Sequence, residues 1–199
     1  MPILGDVSRR GVSTVLPTVP GRGFVVVDTE TTGLHDPSRV IEIALVWVST
    51  SGTIQESWST LIRGDGTSGG PRLERIHGIK DRDLLQAPAF KEIATPILAA
   101  LSDRIPIGHN AKFDRARLNY ELRLIRKPAL PEMACTMNLG RHLGYGVLRL
   151  ENAIKEFGIQ RTNAHRAEDD ALATASLLRH YMRTDQKGVS SYLQRKGFL

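Results

Sequence analysis

Two acids stand at the end of an apolar run in the stretch FVVVDTETTGL, residues 24–34. Residues i and i+2 of a strand point to the same face, so the carboxylates of Asp28 and Glu30 are expected to converge. Two carboxylates this close repel each other, and a divalent cation that prefers oxygen ligands removes the repulsion. The pair therefore indicates a metal site, although solvated acids at an ordinary strand exit give the same pattern.

Two further acids and a histidine stand near predicted helix starts. Asp114 ends the segment HNAKFD, residues 109–114, where a helix dipole favours a carboxylate whether or not it has a function. Asp170 shares its helix with several alanines that permit close packing on a sheet, and a charge there is costly unless it is paired or bound to metal. His165 has a side chain suited to proton transfer near neutral pH, although a lone histidine is often structural or simply exposed. Glu168 and Asp169 are expected to face solvent.

The apolar patterns predict the elements that must position these residues. Strands are expected at 24–28, 39–49 and 53–62, followed by short strands at 106–109 and 133–136. Helices are expected at 80–85, 90–101, 110–124, 137–143, 150–156 and 166–183. In the helix over 110–124, Lys112, Arg115 and Arg117 are expected to face water, where they could also track phosphates. Three strands and then helices interleaved with short strands predict a mixed α/β sheet covered by helices.

Length and composition fit one globular domain with basic ends. The chain has 199 residues, 41% hydrophobic content and a formal charge of +6, of which residues 1–23 carry +2 and residues 183–199 carry +3. We expect a flexible arm over 1–22, a domain over 23–183 and a basic tail over 184–199, in which Tyr192 and Leu193 could dock. Basic tails can attract a polyanion or serve solubility alone. The absence of a signal or membrane segment and the single Cys135 fit a cytoplasmic protein.

Three segments in this order resemble the motifs of a known family. DTETTGL at 28–34, HNAKFD at 109–114 and His165 followed five residues later by Asp170 are similar to the three motifs of the DEDDh 3′–5′ exonucleases. That family includes the proofreading epsilon subunit of bacterial replicative DNA polymerase, oligoribonuclease and ribonuclease T. The segment IHGI at 76–79 resembles the epsilon-like branch. The resemblance covers about residues 23–183 and implies a ribonuclease-H-like fold with a five-stranded mixed sheet flanked by helices.

The resemblance also implies roles for the acids and the histidine. Asp28, Glu30, Asp114 and Asp170 match the four metal-binding acids, and His165 matches the general base. The implied cofactors are two Mg²⁺ ions, with Mn²⁺ as a substitute, in a hard all-carboxylate set. Asp28, Glu30 and Asp170 would hold one ion, and Asp28 the other, with Asp114 supporting through water. Asp169 stands where the family often has an apolar residue, and spacing from His165 favours Asp170 as the ligand.

The expected substrate is the 3′ end of a single-stranded nucleic acid, cleaved to nucleoside 5′-monophosphates. We expect DNA rather than RNA, with RNA exonuclease activity as the nearest alternative and a non-catalytic nucleic-acid-binding module as a more distant one. A DNA polymerase is a possible partner, with the tails as docking segments. Candidate substrate-binding residues are Thr31, Gly33, Leu34, His77, Ile79, His109, Asn110 and Phe113. Ile79 and Phe113 fit a plain core role equally well.

Overall fold

The most buried strand is β2 (Val40–Ser49), whose first nine residues are all buried in the computed structural model, which describes residues 14–199. An almost continuous run of apolar and β-branched side chains suits a strand with both faces covered. It pairs antiparallel with β1 (Gly23–Thr31) and β3 (Ile54–Leu61). On the other side of β1, β4 (Ile105–Gly108) and β5 (Ala134–Cys135) pair in parallel. The sheet order β3-β2-β1-β4-β5 confirms the predicted five-stranded mixed sheet.

Eight helices surround this sheet within the described residues. They are α1 (Pro71–His77), α2 (Asp81–Leu84), α3 (Phe90–Ser102), α4 (Lys112–Leu124), α5 (Thr136–His142), α6 (Leu150–Glu156), α7 (Ala167–Thr184) and α8 (Gln186–Arg195). None of the helices in residues 14–199 is long and apolar enough to cross a membrane. The predicted α/β architecture is confirmed, with helices α3 and α4 on one face and α5 to α8 on the other.

Side-chain alternation along β1 assigns its residues to the two faces of the sheet. Val25 and Val27 join the core under α3 and α4, whereas Phe24 and Val26 join the core under α7 and α8. Because the period of a strand is two residues, even-numbered positions further along β1 continue toward α7 and odd-numbered positions toward α4. This alternation decides which helix each polar residue at the end of β1 can reach.

The structure differs from the expectations in three places: the end of β1, the additional helix α1 and one side chain of α4. Strand β1 continues to Thr31, because Glu30 pairs with Glu42 and Thr31 with Val40 across β2, so the two acids lie within the strand rather than beyond it. Helix α1 follows the glycine-rich loop with Pro71 at its start, where the missing N–H of proline costs nothing. In α4, Arg117 does not face water: it is buried and pairs with Asp36 at 2.7 Å.

Parts of both expected tails pack on the domain. Residues 184–199 include helix α8, which buries Val189, Tyr192 and Leu193 against the α7 side of the core, so this segment is a packed element rather than a loose tail. At the other end, Leu16 and Val19 pack against the α3 side. Residues 1–13 of the expected arm lie outside the described residues. Burial of apolar side chains is the force that docks both segments.

Candidate active site

The acids of β1 meet an acid of α7 on one face of the sheet. Asp28 and Glu30 continue the even-numbered register toward α7, which carries Asp170 in its first turn. One carboxylate oxygen from each of these three residues lies within 4.8 Å of the others. Asp170 is buried and the other two are half-buried, so three hard oxygen ligands converge in a place shielded from bulk water. This arrangement can bind a divalent metal ion.

Asp114 approaches the cluster from the opposite face. Thr29 is odd-numbered in β1 and points toward α4, where its hydroxyl donates a 2.8 Å hydrogen bond to the carboxylate of Asp114. Asp114 is 4% exposed, and its negative charge contributes to the raised pKa of both Asp28 and Glu30. The structure therefore brings the four predicted acids to the end of β1, with three in a tight cluster and Asp114 beside them.

The electrostatics of this cluster favour either protons or a cation. Burial, followed by the charges of Asp114, Asp170 and Glu30, raises the pKa of Asp28 well above its usual range. Burial and the neighbouring charge of Glu42 raise the pKa of Glu30 to about 8. Burial raises the pKa of Asp114 to about 7, against the opposing hydrogen bond from Thr29. Desolvation and like-charge repulsion of this kind are typical of functional sites.

An arginine that the sequence analysis did not identify faces the third ligand. Arg161, in the loop before α7, donates to a carboxylate oxygen of Asp170 at 3.0 Å. Burial raises the pKa of Asp170, and the charge of Arg161 opposes that rise. A guanidinium so placed favours the ionised form of the Asp170 carboxylate, the form in which it can be a metal ligand.

An ion pair between the buried Glu42 and the half-buried Arg166 fixes the start of α7 against the sheet. Arg166 donates two hydrogen bonds from Nε and one from Nη2 to the carboxylate of Glu42, and the Ala167 N–H donates to the same carboxylate at 3.1 Å. Glu42 is directly opposite Glu30 across β1 and β2. A lone acid within the apolar run of β2 was a sequence signal for such a partner, because buried carboxylates are rarely unpaired. The pair positions the helix turn that carries Asp170.

His165 lies next to this ion pair, at the end of the loop that leads into α7. It is exposed and has a left-handed backbone with φ of +59°. A non-glycine residue in that region is uncommon and costs about 1–3 kcal/mol when the surroundings impose it. The charge and the backbone amide of His165 both lower the pKa of Asp170, so this exposed residue lies near the Asp170 carboxylate.

The two acids between His165 and Asp170 in sequence are held away from the cluster. Glu168 accepts hydrogen bonds from the hydroxyls of Ser57 and Ser59 on β3, and Asp169 accepts one from the Asn163 amide. Both are half-buried, so the expectation that they face solvent is wrong: short polar side chains of the edge strand and the loop cover them. Asp170 rather than Asp169 joins the three-acid cluster.

The candidate substrate-binding residues differ in their exposure. Leu34 is 69% exposed, and Asn110 is exposed with a left-handed φ of +64°. Gly33 and Phe113 are half-buried, Thr31 is buried, and the Thr31 hydroxyl donates to the Gly33 carbonyl at 2.7 Å. Leu34 and Asn110 are the candidates most open to a ligand.

The remaining candidates are engaged in internal contacts. The Nε2 of His109 donates to the Leu148 carbonyl at 3.0 Å, so in the neutral ring Nδ1 accepts from the Thr136 hydroxyl at 2.9 Å. His77 is buried, and its Nδ1 accepts from the N–H of Ile79 at 3.1 Å. Ile79 is 2% exposed and packs with Ile41 and Leu84, which is the core role that its sequence allowed.

Comparison with known proteins places this chain in a family. A family model described as Exonuclease (RNase_T) matches residues 25–178. The chain is 37% identical over 158 residues to the DNA polymerase III subunit epsilon of Treponema pallidum, covering 74% of this chain and 71% of the relative. It is 32% identical over 162 residues to the same subunit of Aquifex aeolicus, covering 77% of each.

Solved structures agree with this assignment. A structure of Exonuclease X in complex with 5′ overhanging duplex DNA matches with a TM-score of 0.66 and 30% identity, covering 82% of this chain and 93% of that one. The nuclease domain of 3′hExo, a DEDDh family member bound to rAMP, shares the fold with a TM-score of 0.69 at 15% identity, covering 81% of this chain and 92% of that one. The chain therefore belongs to the DEDDh exonuclease family and has an epsilon-like exonuclease domain.

Proposed function

We propose that this nuclease hydrolyses phosphodiester bonds one nucleotide at a time from the 3′ end of DNA, acting on single-stranded or frayed ends and releasing nucleoside 5′-monophosphates. The observation that carries the proposal is the convergence of Asp28, Glu30 and Asp170 within 4.8 Å, in a chain whose family is established. A single strand fits a site of this kind, since backbone and stacking contacts tolerate any base sequence.

The donor set fits two Mg²⁺ ions, with Mn²⁺ as a substitute. Asp28, Glu30 and Asp170 would hold one ion and Asp28 the second, with Asp114 contributing through bound water. The fit is supported by the raised pKa of Asp28 and of Glu30, because a cation removes the repulsion that burial imposes on these carboxylates. Bound divalent ions would supply an activated water and a stabilised leaving 3′ oxygen.

The side chains of this chain then have distinct tasks. His165, exposed beside Asp170, accepts the proton of the attacking water and passes it to solvent. Asp114, fixed by the Thr29 hydroxyl, holds its carboxylate toward Asp28 from the α4 face. The Glu42–Arg166 pair keeps the first turn of α7 in register with β1, so that Asp170 stays within reach of the other acids.

The terminal nucleotide is proposed to bind along the edge of β1. Leu34 would be an apolar wedge beside the terminal base, and Asn110 would offer its amide to the sugar or base, since both side chains are exposed. Backbone amides at Thr31 and Gly33 would approach the terminal phosphate. Family relatives that are subunits of DNA polymerase III support DNA as the substrate and a polymerase as a partner of this chain.

The test compares three labelled substrates with and without Mg²⁺: single-stranded DNA, duplex DNA with a mismatched 3′ end, and a short RNA. The proposal expects Mg²⁺-dependent release of nucleoside 5′-monophosphate from both DNAs, faster than from RNA. Faster cleavage of RNA would replace DNA with RNA as the substrate. Binding of all three without any cleavage would leave a non-catalytic binding module.

A further inference from the structure

Basic side chains of α5 and α8 converge on a pocket away from the acid cluster. The pocket has a volume of about 410 Å³ and is lined by Asn138, Arg141, His142, Tyr192, Arg195 and Lys196. No acidic side chain lines it, and within residues 14–199 no ion pair involves these cations. Three permanent positive charges and a histidine are therefore left to face a mobile or bound anion.

This pocket is a fixed surface. The hydroxyl of Tyr192 donates to the Cys135 carbonyl and accepts from the Cys135 N–H, both at 3.3 Å, which ties α8 to β5. Arg141 is close enough to Tyr192 for its charge to lower the pKa of that phenol, although burial raises it overall. The dipoles of α5 and α8 each favour a cation at their C-terminal ends, but they do not explain why the two ends share one pocket.

The position of the pocket relative to the acids follows from the packing of α5 on α7. Gly140, the neighbour of Arg141, lies against Tyr181, since a Cβ on Gly140 would be 2.6 Å from the Tyr181 hydroxyl. Tyr181 and Asp170 are both on α7, which rises about 1.5 Å per residue, so roughly 16 Å of helix axis separates them. A stacked strand rises about 3.4 Å per nucleotide, so roughly five nucleotides cover this distance.

We propose that this basic pocket binds the phosphodiester backbone of the substrate strand upstream of the 3′ nucleotide, as a second nucleic-acid site. The inference rests on the proposed function, and it concerns a helix that lies outside the family match at residues 25–178. Because the pocket carries positive charge but no exposed apolar side chain, it suits a nucleic acid better than a protein partner. Tyr192, the one hydrophobic lining residue, is 5% exposed, whereas protein interfaces rely on accessible aromatic or aliphatic side chains.

The test is a variant in which the three cations become alanine: Arg141→Ala, Arg195→Ala and Lys196→Ala. Binding of a 15-nucleotide single-stranded DNA is measured by fluorescence anisotropy in EDTA, between 50 and 300 mM KCl. Each phosphate contact contributes about 0.7 to the slope of log K against log salt, so loss of three lowers that slope by about 2. At 0.1 M salt the same contribution weakens binding by roughly 100-fold.

Two controls separate this proposal from the catalytic one. A matched variant removes three exposed cations elsewhere (Lys155→Ala, Arg183→Ala, Lys187→Ala) and should bind the 15-nucleotide strand within a few-fold of wild type. Hydrolysis of a trinucleotide with Mg²⁺, which is too short to reach the pocket, should proceed at the wild-type rate in the pocket variant. If wild type cleaves no substrate, the proposed function is wrong, but the binding data still test whether the pocket binds single-stranded DNA.

Three results would overturn the inference. Unchanged affinity and salt slope in the pocket variant would mean that nucleic acid does not use this surface, which would then be open to an acidic protein. An equal loss of affinity in the matched control would mean that the net charge of the protein, and not this pocket, causes the effect. Equal losses for trinucleotide and 15-nucleotide strands would contradict an upstream position. If the triple variant fails to fold by circular dichroism, Lys196→Gln alone should lower the salt slope by about 0.7.

Discussion

Replacing Glu30 with glutamine should weaken the pH dependence of stability that the acid cluster imposes on the metal-free protein. The folded-state pKa of Glu30 is about 8, against an ordinary value of 4.5, because of burial and the charge of Glu42. The folded protein therefore retains a proton that the unfolded chain has released. The free energy of unfolding is highest below the pKa that Glu30 has in the unfolded chain. It falls as pH rises through the pKa that Glu30 has in the folded protein.

The magnitude follows from the two pKa values of Glu30. Between pH 5.5 and pH 8.5 the free energy of unfolding of wild type should fall by about 3 kcal/mol from this residue alone. Glu30→Gln has no such proton to lose, so its free energy of unfolding should decline over the same pH range by about 3 kcal/mol less than that of wild type. The Glu30 charge also raises the pKa of Asp28, which adds to the difference.

The assay is urea denaturation in EDTA at pH 5.5, 7.0 and 8.5, with Glu156→Gln as an exposed matched control. Adding Mg²⁺ should restore stability at pH 8.5 in wild type and the control more than in Glu30→Gln, because the ion binds the ionised cluster. A wild-type stability that declines no more steeply than that of Glu30→Gln would refute the reasoning. It would mean that Glu30 is not desolvated beside other acids.

Three further substitutions test the neighbouring residues. His165→Ala should lower the cleavage rate by about 10²–10⁴ while leaving Mn²⁺ binding intact by calorimetry, and an unchanged rate would remove it as base. Asp169→Ala should cleave labelled DNA within a few-fold of wild type, whereas Asp170→Ala should be inactive; the reverse order would mean that the wrong acid is assigned. Arg166→Ala should lower the urea unfolding free energy by about 3–5 kcal/mol, because Glu42 stays buried without a cation beside it; the Arg166→Met, Glu42→Leu double variant should lose less. A double variant less stable than Arg166→Ala would contradict that explanation.

The parts of the fold that sequence predicted best are those with strong local patterns. The apolar run of β2 and the spacing of α3, α4, α6 and α7 gave elements within a few residues of their observed bounds. The convergence of Asp28 and Glu30 followed from strand alternation, which needs no knowledge of distant residues. The place of Asp170 beside them came from a family resemblance, because no local pattern brings α7 to β1.

The parts that sequence did not predict depend on contacts between distant residues. The sequence suggests that Arg117 is an exposed cation on α4, but its side chain is buried and pairs with the exposed Asp36. The pair of Arg161 with Asp170 spans only nine residues, but it depends on how the irregular loop before α7 folds back, which no local pattern predicts. The polar composition of residues 184–199 did not predict helix α8. The helix is a packed element because Tyr192 and Leu193 dock on the α7 side of the core.

The central claim is that the acids at the end of β1 bind metal ions that cleave the 3′ end of a strand. The most direct measurement follows the products from a 3′-labelled single-stranded DNA incubated with wild type, Asp28→Ala and Asp170→Ala, in Mg²⁺ and in EDTA. We expect labelled nucleoside 5′-monophosphate as the first product, and we expect it only when wild type is incubated in Mg²⁺. Release of the label by either variant at the wild-type rate, or by wild type in EDTA, would contradict the account.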